Sequence, residues 1–310
     1  MSITLQTFIR AVEYWVPCAD GGLLEFGDGL YGTGRHLEAL SRQMCFGREE
    51  GLPGQAWVAG HPLILKKFEG SYFRRTAAAH AVGITCGIAL PLFADGALTA
   101  VLVLFCGEGT ARAGAIELWR NLPPESTGMA LLDGHYGNTG TAFERASQGT
   151  VLPKGTGLPG KAWESRKPVF QADLGVGSGF VRAQTAEQVG INRGLALPCS
   201  TVDGSTQVLT FLSAQATPIA RRIEIWEPAS SSSTTPASFD LKAGFCEVEG
   251  VLSAEPGQVA MQSSDDFLVQ VCTSRAPVIR KPSGDSNRGN RVAWPVLFEG
   301  TVTAVVALDL

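Results

Sequence analysis

The chain has 310 residues, 45% hydrophobic and 17% charged, which is enough apolar material for two or three packed domains. Its net charge of −4 is spread along the chain without a basic run, which argues against nucleic acid or an anionic membrane as the main partner. No apolar stretch approaches the roughly 20 residues needed to span a bilayer. Residues 1–20 lack the basic start and apolar core of a secretory signal, and seven scattered cysteines with no CxxC pair fit reduced thiols, so a cytoplasmic location is expected.

In chain order, the first expected element is a strand carrying Ala11-Val12-Glu13-Tyr14-Trp15. A second strand follows and ends in the turn Asp28-Gly29-Leu30-Tyr31-Gly32. Gly51-Leu52-Pro53-Gly54-Gln55-Ala56-Trp57 opens a short helix, because proline suits the first helical turn, where its missing N–H costs nothing. Gly60 and Pro62 stop that helix. The alanine-rich stretch from Arg74 to Ala81 reads as a second short helix capped by Gly83. An alternating strand through Ile88-Ala89-Leu90-Pro91 then turns at Asp95-Gly96 and returns over Leu98–Phe105. Asp-Gly between alternating apolar runs is a strong hairpin signal, since both central residues of such a turn need positive φ.

The same series then recurs. Ala115-Ile116-Glu117-Leu118-Trp119 is followed by Asp133-Gly134-His135-Tyr136-Gly137, and Gly157-Leu158-Pro159-Gly160-Lys161-Ala162-Trp163 by Pro168. The helix Arg182 to Val189 ends at Gly190, and Leu195-Ala196-Leu197-Pro198 leads to a turn at Asp203-Gly204 and a strand over Gln207–Ser213. A third pass keeps Arg222-Ile223-Glu224-Ile225-Trp226, Gly244-Phe245-Cys246, Val292-Ala293-Trp294-Pro295, the turn Glu299-Gly300 and the strand Thr301–Leu310. It replaces the arginine-bearing helix by a polar loop, Ser283 to Asn290, and the Gly-Leu-Pro-Gly segment by Phe267-Leu268-Val269-Gln270. A period of roughly a hundred residues is that of a whole domain rather than a solenoid unit. The expected domains are 1–108, 109–218 and 219–310, the last a degenerate copy that has lost the elements covering one face of its sheet.

The Gly-Leu-Pro-Gly-x-Ala-Trp helix, the Phe-x-Arg and alanine-rich helix, and the Ala-Leu-Pro strand with its glycine hairpin together resemble GAF domains. The resemblance implies an α+β fold, three tandem GAF-like domains, each an antiparallel sheet with short covering helices. It also implies a pocket between sheet and helices, in a family whose members bind cyclic nucleotides, tetrapyrroles, amino-acid derivatives or no known ligand. The fold does not select among these. Two departures stand out. About eight residues join repeat one to repeat two, too few for the long signalling helices of typical GAF proteins, and the last strand ends at Leu310, so no catalytic output domain is expected after it.

Within such a pocket, Arg75 and Arg182 hold equivalent places in the covering helix, where a guanidinium suits a carboxylate or phosphate. At the entry to the next strand the copies differ, with Cys86 in the first and Arg193 in the second. Repeat two therefore becomes the expected site for an anionic small molecule, held by Arg182 and Arg193 with Trp163 as a wall. The competing account of Arg182 is a bond to an acidic neighbour such as Asp173 or Glu187. Trp57 and Trp163 suit a flat ligand, although a tryptophan on a short helix is more commonly a core plug. Cys86 is a candidate thiol because a few GAF-like proteins reduce methionine sulfoxide, yet no second cysteine stands beside it in the sequence. The four histidines lie at no metal-ligand spacing, and no phosphate loop, nucleophile elbow or paired-carboxylate motif occurs, so neither cofactor nor metal is expected. The expected function is a small-molecule-binding sensory or regulatory protein, not an enzyme. The alternatives are a scaffold that binds a protein partner or forms a homo-oligomer with its GAF folds unoccupied, and a thiol-dependent methionine sulfoxide reductase-like enzyme.

Overall fold

A computed structural model describes residues 6–107, 114–121, 126–202, 205–229, 236, 238–252, 262–281 and 289–310. The turn Asp203-Gly204 and most of the polar loop Ser283 to Asn290 lie outside the described residues. Repeat one runs β1 (Ile9–Pro17), β2 (Leu24–Leu30), α1 (Arg35–Ser41), β3 (Cys45–Phe46), α2 (Gly51–Ala59), β4 (Leu63–Leu65), α3 (Thr76–His80), β5 (Cys86–Ala94) and β6 (Ala97–Cys106). Repeat two runs β7 (Gly114–Asn121), β8 (Gly128–His135), α4 (Gly140–Gln148), β9 (Val151–Pro153), α5 (Gly157–Ser165), β10 (Val169–Gln171), α6 (Ala183–Gln188), β11 (Ile191–Ser200) and β12 (Thr206–Ala214). Repeat three runs β13 (Arg222–Pro228), β14 (Phe239–Cys246), β15 (Gly250–Val251), β16 (Gln262–Ser263), α7 (Asp266–Ser274), β17 (Val278–Arg280), β18 (Arg291–Phe298) and β19 (Thr301–Asp309).

The expected α+β class and the three hairpin-closed sheets are present. Each repeat forms its own antiparallel sheet with one strand order, β3-β2-β1-β6-β5-β4 in the first, matched by β9-β8-β7-β12-β11-β10 and by β15-β14-β13-β19-β18-β17. The strand at Ala115 stays with its own repeat, pairing with β8 and β12. Even the irregularity recurs: the register slips by one residue just before Trp15, Trp119 and Trp226, a β-bulge that turns the strand and increases its twist.

Two features differ from expectation. The connection after the second strand holds a helix in repeats one and two, α1 and α4, that the sequence pattern did not announce. Repeat three has not lost its whole cover either. The segment at Phe267 is the helix α7, started by Asp265, whose side chain accepts from the Phe267 N–H. That cap satisfies one of the donors every helix start leaves open, so a helix forms here without the Gly-Leu-Pro-Gly opening.

The central strands are buried on both faces, because helices cover one face and the other two sheets cover the other. On the helix side each repeat has a private core, built around Trp15 and Phe105, around Trp119 and Phe143, and around Trp226 and Phe267. On the opposite side a single apolar core joins all three sheets, with Ile88 and Leu90 from β5, Leu195 and Leu197 from β11, and Val292 and Trp294 from β18. Pro91, Pro198 and Pro295, one from each repeat, meet there around one narrow space. The three sheets thus stand around a pseudo-threefold axis.

The contacts around that axis close a ring. The helices α2, α5 and α7 each end in a left-handed residue, Gly60, Arg166 and Arg275. In each case its carbonyl accepts from the hairpin of another repeat. Gly60 accepts from the Val202 N–H at 3.3 Å, Arg166 from the Thr303 hydroxyl at 3.3 Å, and Arg275 from the Thr99 hydroxyl at 2.8 Å. Repeat one therefore contacts two, two contacts three, and three contacts one. Ion pairs repeat the pattern at Lys66–Asp133, 2.5 Å, and Lys281–Asp28, 3.1 Å. At the remaining junction both equivalent positions, Ala172 and Ala243, lack charge; there Phe170 meets Phe245 with ring centroids 6.1 Å apart, and ion pairs form at other positions, Lys167–Glu227 at 2.8 Å and Arg193–Glu247. Among the described residues no helix is long and apolar enough to cross a membrane.

Candidate functional site

The recurring Glu-x-Trp strand explains itself once the pleat is considered. Successive side chains of a strand point to opposite faces, so Ala11, Glu13 and Trp15 face the covering helices and Val12 faces the shared core. Glu13 is completely buried, yet every polar group around it is a donor. Arg75 reaches it from the start of α3 through two bonds of 2.7 Å, Trp15 Nε1 donates at 2.9 Å, and the Tyr31 hydroxyl donates at 2.6 Å. The Ser41 hydroxyl of α1 accepts from the same guanidinium. Repeat two builds the same unit around Glu117, with Arg182, Trp119 at 3.1 Å, Tyr136 at 3.1 Å and Ser147 of α4. The glycine of the Asp-Gly-x-Tyr turn belongs to this unit: a Cβ on Gly29 would lie 2.4 Å from the Tyr31 ring, and one on Gly134 2.7 Å from that of Tyr136.

Burial pushes the Glu13 carboxyl upward, but the Arg75 charge and the bonds from Arg75, Tyr31 and Trp15 outweigh it and hold the group below its ordinary value. Glu117 is lowered against the same opposing burial by Arg182, Ser147 and Trp119. The phenols respond in the opposite sense. Burial first, then the adjacent carboxylate, raises Tyr31 and Tyr136 far above the ordinary phenol range.

Repeat three reaches the same end differently. Glu224 keeps Trp226 Nε1 as a donor at 2.8 Å, but the sequence of this repeat lacks the arginine-bearing helix segment. Arg291 pairs with Glu224 instead, from a β18 position that holds Gly87 and Gly194 in the other repeats. Space there is tight, since a Cβ on Gly194 would lie 2.6 Å from Leu158 of α5 and one on Gly87 3.1 Å from Leu52 of α2. Phe267 takes the place of those leucines, and the Arg291 guanidinium lies 5.2 Å over its ring.

The expected anion site of repeat two is therefore not assembled. Arg182 is spent on Glu117, neither on Asp173 nor on Glu187. Arg193 stands with Leu195 and Leu197 on the opposite face of the sheet, where it pairs with Glu247 and lies 4.4 Å over the Phe245 ring of repeat three. Alternation along β11 separates the two arginines, which a helix-and-strand reading placed side by side. Arg75 is buried against Glu13, and Cys86 is fully buried in the shared core opposite Cys106. Trp57 is buried, with Arg48 stacked 4.4 Å over it.

Trp163 is different. It is half-buried and lines a cavity of about 620 Å³ at the place where the hairpins of the three repeats meet. Repeat two supplies Lys154 from the loop before α5, Trp163 and Arg166 from its end, and Pro198 to Val202 with Ser205 and Thr206 from its hairpin. Repeat three supplies Leu297 to Gly300, and repeat one Phe93, Asp95 and Gly96. Lys154 Nζ lies 5.7 Å over the Trp163 ring, and the Arg166 guanidinium lies 3.9 Å over Phe298. Cys199 forms part of the wall as a neutral thiol, because burial pushes it up to about 12. Among the described residues, no group of three His, Cys, Asp or Glu side chains is placed to hold a metal. Lys154 and Arg166 escaped the sequence reading because no motif within a repeat marks a wall formed between repeats.

No protein-family model and no curated protein matches the chain. Solved structures do, each over about one repeat. A free methionine-R-sulfoxide reductase from Neisseria meningitidis, solved with its substrate, is 16% identical over 32% of this chain and 52% of its own, with a TM-score of 0.25. A GAF domain from A. aeolicus in an inactive state is 20% identical over 33% of this chain and 59% of its own, with a TM-score of 0.27. NreA from Staphylococcus aureus, mutated in its nitrate-binding site, is 18% identical over 34% of this chain and 77% of its own, with a TM-score of 0.27. This chain spans between half and three fifths of the first two structures' length, and at such identities the likeness concerns fold alone. The three antiparallel sheets of one strand order with their covering helices are consistent with tandem GAF-like domains.

Proposed function

We propose that the chain is a regulatory protein that binds a small molecule, and that it does so where repeats two and three meet rather than inside a repeat. One contrast carries this reading. The space between sheet and helices, which the resemblance implied as the pocket, is occupied in every repeat by the protein's own Glu–Arg–Trp unit. The junction instead holds a cavity of about 620 Å³, within the size range of small-molecule sites. Its wall comes from all three repeats, so a ligand there would favour the arrangement in which the hairpins and α5 are closed together. Differential affinity of that kind is what turns binding into a signal. The activity proposed for this wall is binding.

A thermal-shift screen of the full chain against organic acids, amino-acid derivatives and nucleotides tests it. A ligand that binds only the folded state stabilises it by about 2.7 kcal/mol at a hundredfold excess over Kd. The expected result is at least one hit whose shift disappears in Trp163→Leu. Hits that survive that substitution would place binding elsewhere. A second reading, a scaffold whose GAF folds hold no ligand, is favoured by the same buried units, since they leave the repeats self-filled. It predicts no hit at all, with association between chains as the activity that remains.

A further inference from the structure

The three junctions of the ring match in position and differ in content, so each serves as a control for the others. At the first, Val202 lies directly over Gly60, where a Cβ would come within 2.7 Å of its Cγ2. At the third, the Arg275 side chain pairs with Asp95 of the hairpin it faces. The second has the parts for the same closure, Arg166 in the place of Arg275 and Glu299 in the place of Asp95. It does not use them. Arg166 lies on Phe298 instead, Glu299 makes no ion pair among the described residues, and the cavity opens there. Arg166 and Arg275 share a left-handed backbone, φ 56° and 51°, so the two junctions differ in what the side chain meets and not in the helix end. Stacked on Phe298 and making no ion pair among the described residues, the Arg166 guanidinium stands exposed at the cavity wall, where a ligand anion can reach it.

We propose that this junction takes a flat organic anion, its ring against Trp163 and its carboxylate or phosphate drawn to Lys154 and Arg166. The inference rests on the function proposed above and names the class of ligand for that site. Among the described residues of the wall there are two cations and two carboxylates, of which Asp95 is paired with Arg275 and Glu299 is exposed to solvent at the rim. Lys154 already leans over the indole, the arrangement in which a cation and an aromatic face together receive a ring that bears a negative group. Pro198 and Leu297 supply the apolar remainder of the wall. Repeat one has the equivalent pair, Arg48 over Trp57, but there the indole is buried, so the same aromatic face is not offered twice.

The test is a titration of the full chain with 2-naphthoate, its neutral analogue 2-naphthamide and inorganic phosphate, followed by calorimetry. The expected result is that 2-naphthoate binds, that 2-naphthamide and phosphate each bind at least about tenfold more weakly, and that Lys154→Met and Arg166→Met each weaken 2-naphthoate by a similar factor while Arg166→Lys restores part of it. Both cations are exposed, and unchanged melting of the unliganded variants would show that the fold is kept. Equal binding of naphthoate and naphthamide, lost in Trp163→Leu, overturns the anionic class and leaves the junction as the site. Phosphate binding as tightly as naphthoate overturns the role of the ring. Absence of naphthoate binding, or binding indifferent to Lys154, Arg166 and Trp163, overturns the inference. A Trp163-dependent hit elsewhere in the thermal-shift panel would then still support the broader reading.

Discussion

Glu13 and Glu117 are ionised groups taken out of water, which is costly unless each lone pair finds a donor. Here each does, from an arginine, a tryptophan and a tyrosine. Breaking such a unit from one side strands the other charge. Glu117→Ala should therefore lose about 3–5 kcal/mol, read as a lowered urea midpoint by circular dichroism. Glu117→Leu with Arg182→Met, which removes both charges, should recover most of that loss; a double variant as unstable as the single one would show that the unit contributes more than charge compensation. Acid should act on the same groups. Because their folded pKa is depressed, their contribution is complete above the unfolded carboxylate value near 4.5 and is lost as pH falls through the lower folded value. Stability of the wild type should accordingly fall below about pH 4.5 more steeply than that of Glu117→Gln, and equal slopes would contradict the assignment. At this scale the sequence revealed that Glu, Trp, Tyr and Arg recur together, but not that they bind one another. The glutamate and the arginine lie 62 residues apart in repeat one and 65 in repeat two, and spacing of that length carries no geometry.

The elements were largely legible, because their signals are local. Glycine and proline punctuate α2 and α5, Asp95-Gly96 and Glu299-Gly300 mark hairpins, and alternation marks the strands between them. Helices α1 and α4 were missed since their sequences, Arg35–Ser41 and Gly140–Gln148, carry few apolar residues and are held by one buried face, chiefly Leu37 and Phe143. Helix α7 was missed because its start depends on the Asp265 cap and not on the motif of its counterparts. Repeat three shows how an element can be lost without losing the interaction it served. Arg291 supplies from a strand the charge that a helix supplies elsewhere, its guanidinium lying over Phe267 where the other repeats have a leucine against a glycine. Arg291→Gly, which installs the residue of the other two repeats, should destabilise the protein by about 3 kcal/mol. Leaving the neighbouring pair of Arg222 and Glu224, 2.6 Å, intact keeps the effect below the upper end of that range. Unfolding followed by Trp226 and Trp294 fluorescence would check it, and a variant as stable as wild type would mean that Arg222 alone compensates Glu224.

At the scale of the whole molecule the ring has properties that no single repeat possesses. The shared core forms because every repeat presents the inner face of its sheet to the other two, and the left-handed helix ends bind one hairpin each around the circle. None of this was legible in one repeat, and the candidate site belongs to it: only Trp163 was identified in advance, and on the supposition of a different pocket. The central claim is that ligand binding occurs between repeats and not within them. Hydrogen–deuterium exchange of the full chain, with and without a hit from the thermal-shift screen, tests it most directly. The account predicts added protection in α5 and in the hairpin segments at residues 198–202 and 297–303, with α1, α3, α4 and α6 unchanged. Protection confined to those covering helices, with the hairpins unaffected, would return the site to the interior of a repeat and contradict it.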